Sequence, residues 1–200
     1  MDNKEVINTL SEIHEMMARS SKFLSLSGLS CALVGLFALC ASFMAHYIIQ
    51  NPQWYHYEKV TMLTTLALIL LVVSLLTIFL FSKKKADKNH LSFKLDKTVR
   101  MMLWNFALPL LVGGFLCLAL IYQGHYGLTS SFMLIFYGLA LINLSNFTFS
   151  SIKYLGYMQL LLGVCDFCAM NYSLLFWSLG FGVCHIVYGL VFYLKFERKA

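Results

Sequence analysis

Long uncharged apolar runs, a scarcity of charge, and cations confined to alternate connections predict an all-α fold: a polytopic helical bundle. Six transmembrane helices follow an N-terminal amphipathic cytoplasmic helix. Of 200 residues, 60% are hydrophobic and 12% are charged, which places the chain in the membrane class and excludes an ordinary soluble domain. An apolar helix needs about 20 residues to cross roughly 30 Å of hydrocarbon. Six stretches qualify, at roughly 25–49, 59–82, 101–123, 128–149, 152–170 and 172–194. With six crossings, fourteen of the 15 Lys and Arg residues gather on the side of the two termini, and Lys59 alone lies opposite. Positive charge near span ends resists translocation, so both ends are expected in the cytoplasm and the chain in the inner (cytoplasmic) membrane. The net charge of +6 then reflects topology and contact with membrane lipid rather than direct nucleic-acid binding. No cleavable signal is expected, because the first 22 residues are polar with charges of both signs.

Residues 1–24 form the amphipathic element. Val6, Leu10, Ile13 and Met17 follow one another at helical spacing, while Lys4, Glu5, Glu12, Glu15 and Arg19 occupy other faces. Such a stripe either lies in the inner bilayer interface under the bundle or docks a partner. Residues 25–200 make the six-helix domain. Along its first span Gly28, Ala32, Gly35, Ala38, Ser42 and Ala45 recur every three or four residues, a seam of small side chains on which another helix backbone approaches closely. The seam serves either a neighbour within the bundle or a second copy of the chain. Ser20, Ser21 and Ser25 stand where the chain bends into the membrane and hydroxyls can satisfy free backbone groups.

The string "MMARSSKFLSLSGLS" resembles the start of an uncharacterised family of small bacterial six-span membrane proteins with an N-terminal RSS-x-FLSLSGLS-like motif. Members are often encoded beside a winged-helix regulator. The resemblance covers about residues 10–35, and Cys31 departs from it. It implies a cytoplasmic protein partner of that type.

Between the second and third spans, "SKKKADKNHLSFKLDKTVR" is the one sizeable connection, expected as a basic turn followed by a helix carrying Leu91, Leu95 and Val99 into the third span. That span should kink at Pro109. The outer loops, "HYIIQNPQWYHYE" and "YQGHYG", have the His, Tyr and Trp content of an interfacial belt. Strings shared by the first, third and fifth spans, such as "VGLFALCASFMAHY" and "VGGFLCLALIYQGHY", suggest three related hairpins.

Spans five and six hold the most specific polar constellation. Gly156, Gln159, Gly163 and Asp166 share one face of span five, and Ser178, Gly182, His185 and Gly189 share one face of span six. In an antiparallel hairpin this arithmetic places Gln159 opposite His185, Gly163 opposite Gly182, Gly156 opposite Gly189, and Ser178 within reach of Asp166. Read as packing, the set is interhelical glue, with about 0.6 to 2 kcal/mol per hydrogen bond. Asp166 argues for more, as the one carboxylate deep within a span. Ionised there without a partner, it costs several kcal/mol.

Other chemistries find little support. Cys165 and Cys168 make a lone C-x-x-C, and His46 and His185 lie at different depths for paired haem ligation. His46, His56 and His125 are placed to converge outside with Glu58, where such a set binds a metal or senses pH. No metal, cofactor or catalytic residue is assigned, and enzyme chemistry is unsupported. The chain reads as a small membrane sensor or regulatory scaffold. The alternative is a proton-coupled transporter or permeation subunit using Asp166.

Overall fold

The computed structural model describes residues 27–88 and 97–198, and among them every regular element is helical. The chain runs α1 (Gly28–Gln50), α2 (His56–Lys88), α3 (Lys97–Tyr122), α4 (Tyr126–Leu144) and α5 (Ile152–Cys168). A 3-10 turn at Met170–Tyr172 leads into α6 (Ser173–Glu197). Five of these helices, α1, α2, α3, α4 and α6, are long and apolar enough to cross a membrane, and α5 has 17 residues. Val6, Leu10, Ile13, Met17, Leu91, Leu95 and most of the Arg-Ser-Ser string lie outside the described residues.

Local chemistry sets the helix boundaries. α1 stops at Asn51-Pro52, where proline cannot continue the helix and the Asn51 side chain accepts from the Gln53 N–H at 2.9 Å. Glu58, in the first turn of α2, reaches back to the Tyr55 N–H at 2.8 Å, half of a capping box. Lys59 donates to the Ile49 carbonyl at 2.8 Å, where the negative end of α1 favours a cation. α3 continues through Pro109. It ends at Gly124, whose φ of 79° is the left-handed conformation glycine adopts freely. The bonds His125 N–H to Leu120 O and Gly124 N–H to Ile121 O complete a Schellman closure. α4 ends earlier than hydropathy suggests, because Ser145, Asn146 and Phe147 turn back on carbonyls three residues behind. Within α6, α-helical turns at Ser173–Trp177 and His185–Phe192 flank a wider π-type stretch at Ser178–Cys184.

Two glycine-lined helix pairs form the interior. In α1 and α6 the backbones meet. A Cβ on Gly28 would lie 2.6 Å from the Gly189 carbonyl, and one on Gly35 would lie 2.7 Å from the Gly182 carbonyl. Seven residues forward on one helix match seven back on the other, so the two run antiparallel. In α4 and α5, Gly138 and Gly156 face each other in the same way, each Cβ position 2.8 Å from the other's carbonyl. Side chains of α6 join the two pairs. Helix α2 lies against α1, and α3 against α4; no part of the apolar stretch of α2 is buried.

This arrangement corrects two expectations. The glycines of spans five and six do not face one another: Gly163 packs against Leu134 and Ile135 of α4, Gly156 against Gly138, and Gly182 and Gly189 against α1. A constant sum of residue numbers is satisfied by any antiparallel neighbour, and α4 and α1 offer closer ones. Nor are spans one, three and five equivalent, since α1 and α5 are interior and α3 peripheral.

The helix ends gather at two poles. At one, Glu197 at the end of α6 accepts from the Gly28 N–H (3.0 Å), the Ser27 hydroxyl (3.3 Å) and Lys85 Nζ of α2 (2.7 Å). That Nζ also lies 5.7 Å from the ring of Phe149 and 5.6 Å from that of Phe192. At the other pole His56 meets Tyr126 edge-on at 4.7 Å, Ser130 donates to the Ser173 carbonyl at 3.0 Å, and Ser173 donates to the Gly127 carbonyl at 3.1 Å.

Candidate functional site

The buried polar groups of the bundle sit where α4, α5 and α6 converge. One face of α5, carrying Leu155, Gly156, Gln159, Gly163 and Asp166, is buried as its periodicity requires. Gln159 and Asp166 are both 0% exposed, and His185 on α6 is 2% exposed.

The middle of the site is a closed network. His185 Nδ1 lies 3.0 Å from the Gly180 carbonyl oxygen, which can only accept, so Nδ1 carries the hydrogen. With the ring neutral, Nε2 is an acceptor, and the Tyr137 hydroxyl of α4 donates to it at 2.8 Å. Gln159 Nε2 donates to the same Gly180 carbonyl at 2.8 Å. Gln159 therefore meets His185 as expected, but through a shared acceptor; their direct contact, at 3.5 Å, sets two donors side by side. Rings enclose the network. Tyr137 stacks on His185 at 5.4 Å, Phe181 stacks on His185 at 6.1 Å, and Trp177 lies 5.2 Å from Phe181. From α1, the Cys31 thiol donates to the His185 carbonyl at 3.6 Å. Four helices thus converge on one histidine.

Asp166 differs. Both of its carboxyl oxygens are buried without a hydrogen-bond partner, as is Gln159 Oε1. Ser178, the expected donor to Asp166, instead returns its hydroxyl to the Leu175 carbonyl at 2.8 Å, within its own turn. Buried polar atoms are almost always paired, and a bare carboxylate in an apolar interior is costly.

Sequence reasoning singled out Gln159, His185 and Asp166, which the fold buries on facing surfaces, but left Ser178 outside the network. Gly28, Gly35, Gly163 and Gly182 all lie at close helix contacts, with the partners given above. It missed Tyr137, Gly180 and Ser131. The signal for Ser131 was present: Ser131, Leu134, Gly138 and Leu141 repeat at helical spacing and are all buried. Tyr137, an aromatic in an aromatic-rich span, had none. Cys165 and Cys168 are exposed on the other faces of α5, and among the described residues no three His, Cys, Asp or Glu side chains cluster as a metal would require.

Comparison of the chain with protein-family models, with curated proteins and with solved structures finds no match.

Proposed function

We propose that the protein is a proton-responsive sensor of the inner membrane, with six crossings, both ends cytoplasmic, and Asp166 as the sensing group. One observation carries this reading: Asp166 is fully buried with both oxygens unpartnered. Its ionisation then demands rearrangement of the α4–α5–α6 junction, and that is a switch.

The six-crossing topology draws support from the two poles. The start of α1, the end of α2 and the end of α6 meet at Glu197, and α1 and α6 run antiparallel, so an even number of crossings separates them. Helix α5, at 17 residues, is at the lower end of spanning length. The pole with Glu197 carries the Lys- and Arg-rich connections. Through its clasp on Gly28, α6 also holds the start of α1, directly after residues 1–24, whose apolar stripe Val6, Leu10, Ile13 and Met17 is the proposed output surface for a cytoplasmic protein partner.

Trp177 reports on this junction, because its ring lies tilted against Phe181 and Phe181 stacks on His185. With Trp54 and Trp104 replaced by Phe, Trp177 emission in lipid nanodiscs should follow a single transition with pH, and Asp166→Asn should abolish it. An identical transition in Asp166→Asn would overturn the reading.

A further inference from the structure

We infer that Ser131 is the positioning residue for Asp166: its hydroxyl is the donor held in reserve for the ionised carboxylate. The inference rests on the reading of Asp166 as the proton-binding group. Three observations converge on it.

The first is register. A Cβ on Gly163 would lie 3.1 Å from Leu134 Cβ, so these two residues are level in the α4–α5 pair. One turn from Gly163 toward the outer pole is Asp166, and one turn from Leu134 toward the same pole is Ser131. Both are 0% exposed.

The second is the state of the hydroxyl. Serines and threonines within apolar helices ordinarily donate to a carbonyl three or four residues back, and here Ser30, Thr64, Thr77 and Ser178 all do so at 2.7–2.8 Å. Ser131 does not: like Ser82 and Thr129, it has a buried oxygen without a partner, and of the three it is the one level with Asp166 in the α4–α5 pair.

The third is the use of the nearest acceptor. The carbonyl four residues behind Ser131 belongs to Gly127, and it already accepts the Ser173 hydroxyl from the start of α6 at 3.1 Å. The α4–α6 contact thus occupies the acceptor four residues back, and the unpartnered Ser131 hydroxyl lies one helix away from an unpartnered carboxyl. In this structure the two do not bond. On ionisation a turn of the Ser131 side chain supplies the O–H that the carboxylate lacks.

Few other groups bear on this equilibrium. The outer turn of α6, Ser173–Trp177, carries no charged side chain, and the α1 histidine at this pole, His46, is exposed. On α5, Cys165 and Cys168 point away, while His185 and Tyr137 lie deeper, in the network around Gln159.

The test is the pH profile of Trp177 emission in nanodiscs for the parent protein, Ser131→Ala, Ser130→Ala and Asp166→Asn. Ser130 is the neighbouring control, its hydroxyl engaged with the Ser173 carbonyl. With the donor to the ionised form removed, the midpoint of the Trp177 transition should move to higher pH by about one to two units, since a hydrogen bond to a charged group is at stake. Ser130→Ala should leave the midpoint in place. A Ser131→Ala midpoint equal to the parent's, with the transition still lost in Asp166→Asn, overturns the role of Ser131 and leaves Asp166 standing. A transition that persists in Asp166→Asn overturns both.

Discussion

The interior pairs α1–α6 and α4–α5 and the outer helices α2 and α3 are built from similarly apolar sequence, yet they are held in different ways. In the interior, glycines bring backbones together, and side-chain hydrogen bonds converge on Gly180 and His185. On the outside, α2 exposes Leu68, Leu71, Leu75 and Leu76, and Gly114 of α3 has nothing within 4 Å of a Cβ position. The difference teaches that in lipid, where apolar burial supplies no association drive, contact geometry and polar bonds decide which helices are core.

The largest effect should come from filling the interior seam. Gly35→Leu places a side chain where Ile186 and the Gly182 carbonyl already lie within 2.8 Å, and should cost about 3 kcal/mol, read as a large drop in the thermal midpoint in detergent. Gly114→Leu, on the outside, should change the same midpoint by less than about 0.5 kcal/mol. Equal losses would erase the distinction.

Gln159→Leu comes next. It removes the second donor to the Gly180 carbonyl and should cost about 2 kcal/mol. Tyr137→Phe, which strips the donor from His185 Nε2, should cost about 1 kcal/mol. A double-mutant cycle between the two should show coupling, because both act through His185 and Gly180; strict additivity would mean that the network is two separate contacts.

Glu197→Gln weakens the clasp at the basic pole, where the carboxylate faces the start of α1 and Lys85 Nζ. A loss of about 1 kcal/mol is expected, smaller at high salt, from the same thermal measurement. The smallest effect should be Leu76→Ala on α2, close to zero, since lipid replaces what the side chain touched.

Much of this fold was legible in the sequence. The apolar runs located the helices, with ends at most about six residues from those observed. Helical periodicity also picked out the buried faces of α5 and α6, with Gln159, Asp166 and His185 on them. What periodicity does not carry is which face meets which. A glycine face on α6 fits α1 as well as α5, and only the assembled bundle shows Gly182 and Gly189 spent on α1. For the same reason Ser178 looked like a donor to Asp166 until its hydroxyl was found closing its own turn. The importance of Ser131 depends on an absence of back-bonding, on a turn whose Gly127 carbonyl is taken by Ser173, 42 residues further along the chain. No local pattern records that.

The most direct test of a proton-holding carboxyl inside the bundle is infrared difference spectroscopy of the parent protein and Asp166→Asn in lipid at neutral pH. The account predicts a protonated-carboxyl stretch in the parent that is insensitive to bulk solvent and missing from the variant. Identical spectra in the carboxylic-acid region would contradict it, because Asp166 would then be ionised in the resting protein and the switch would have no proton to release.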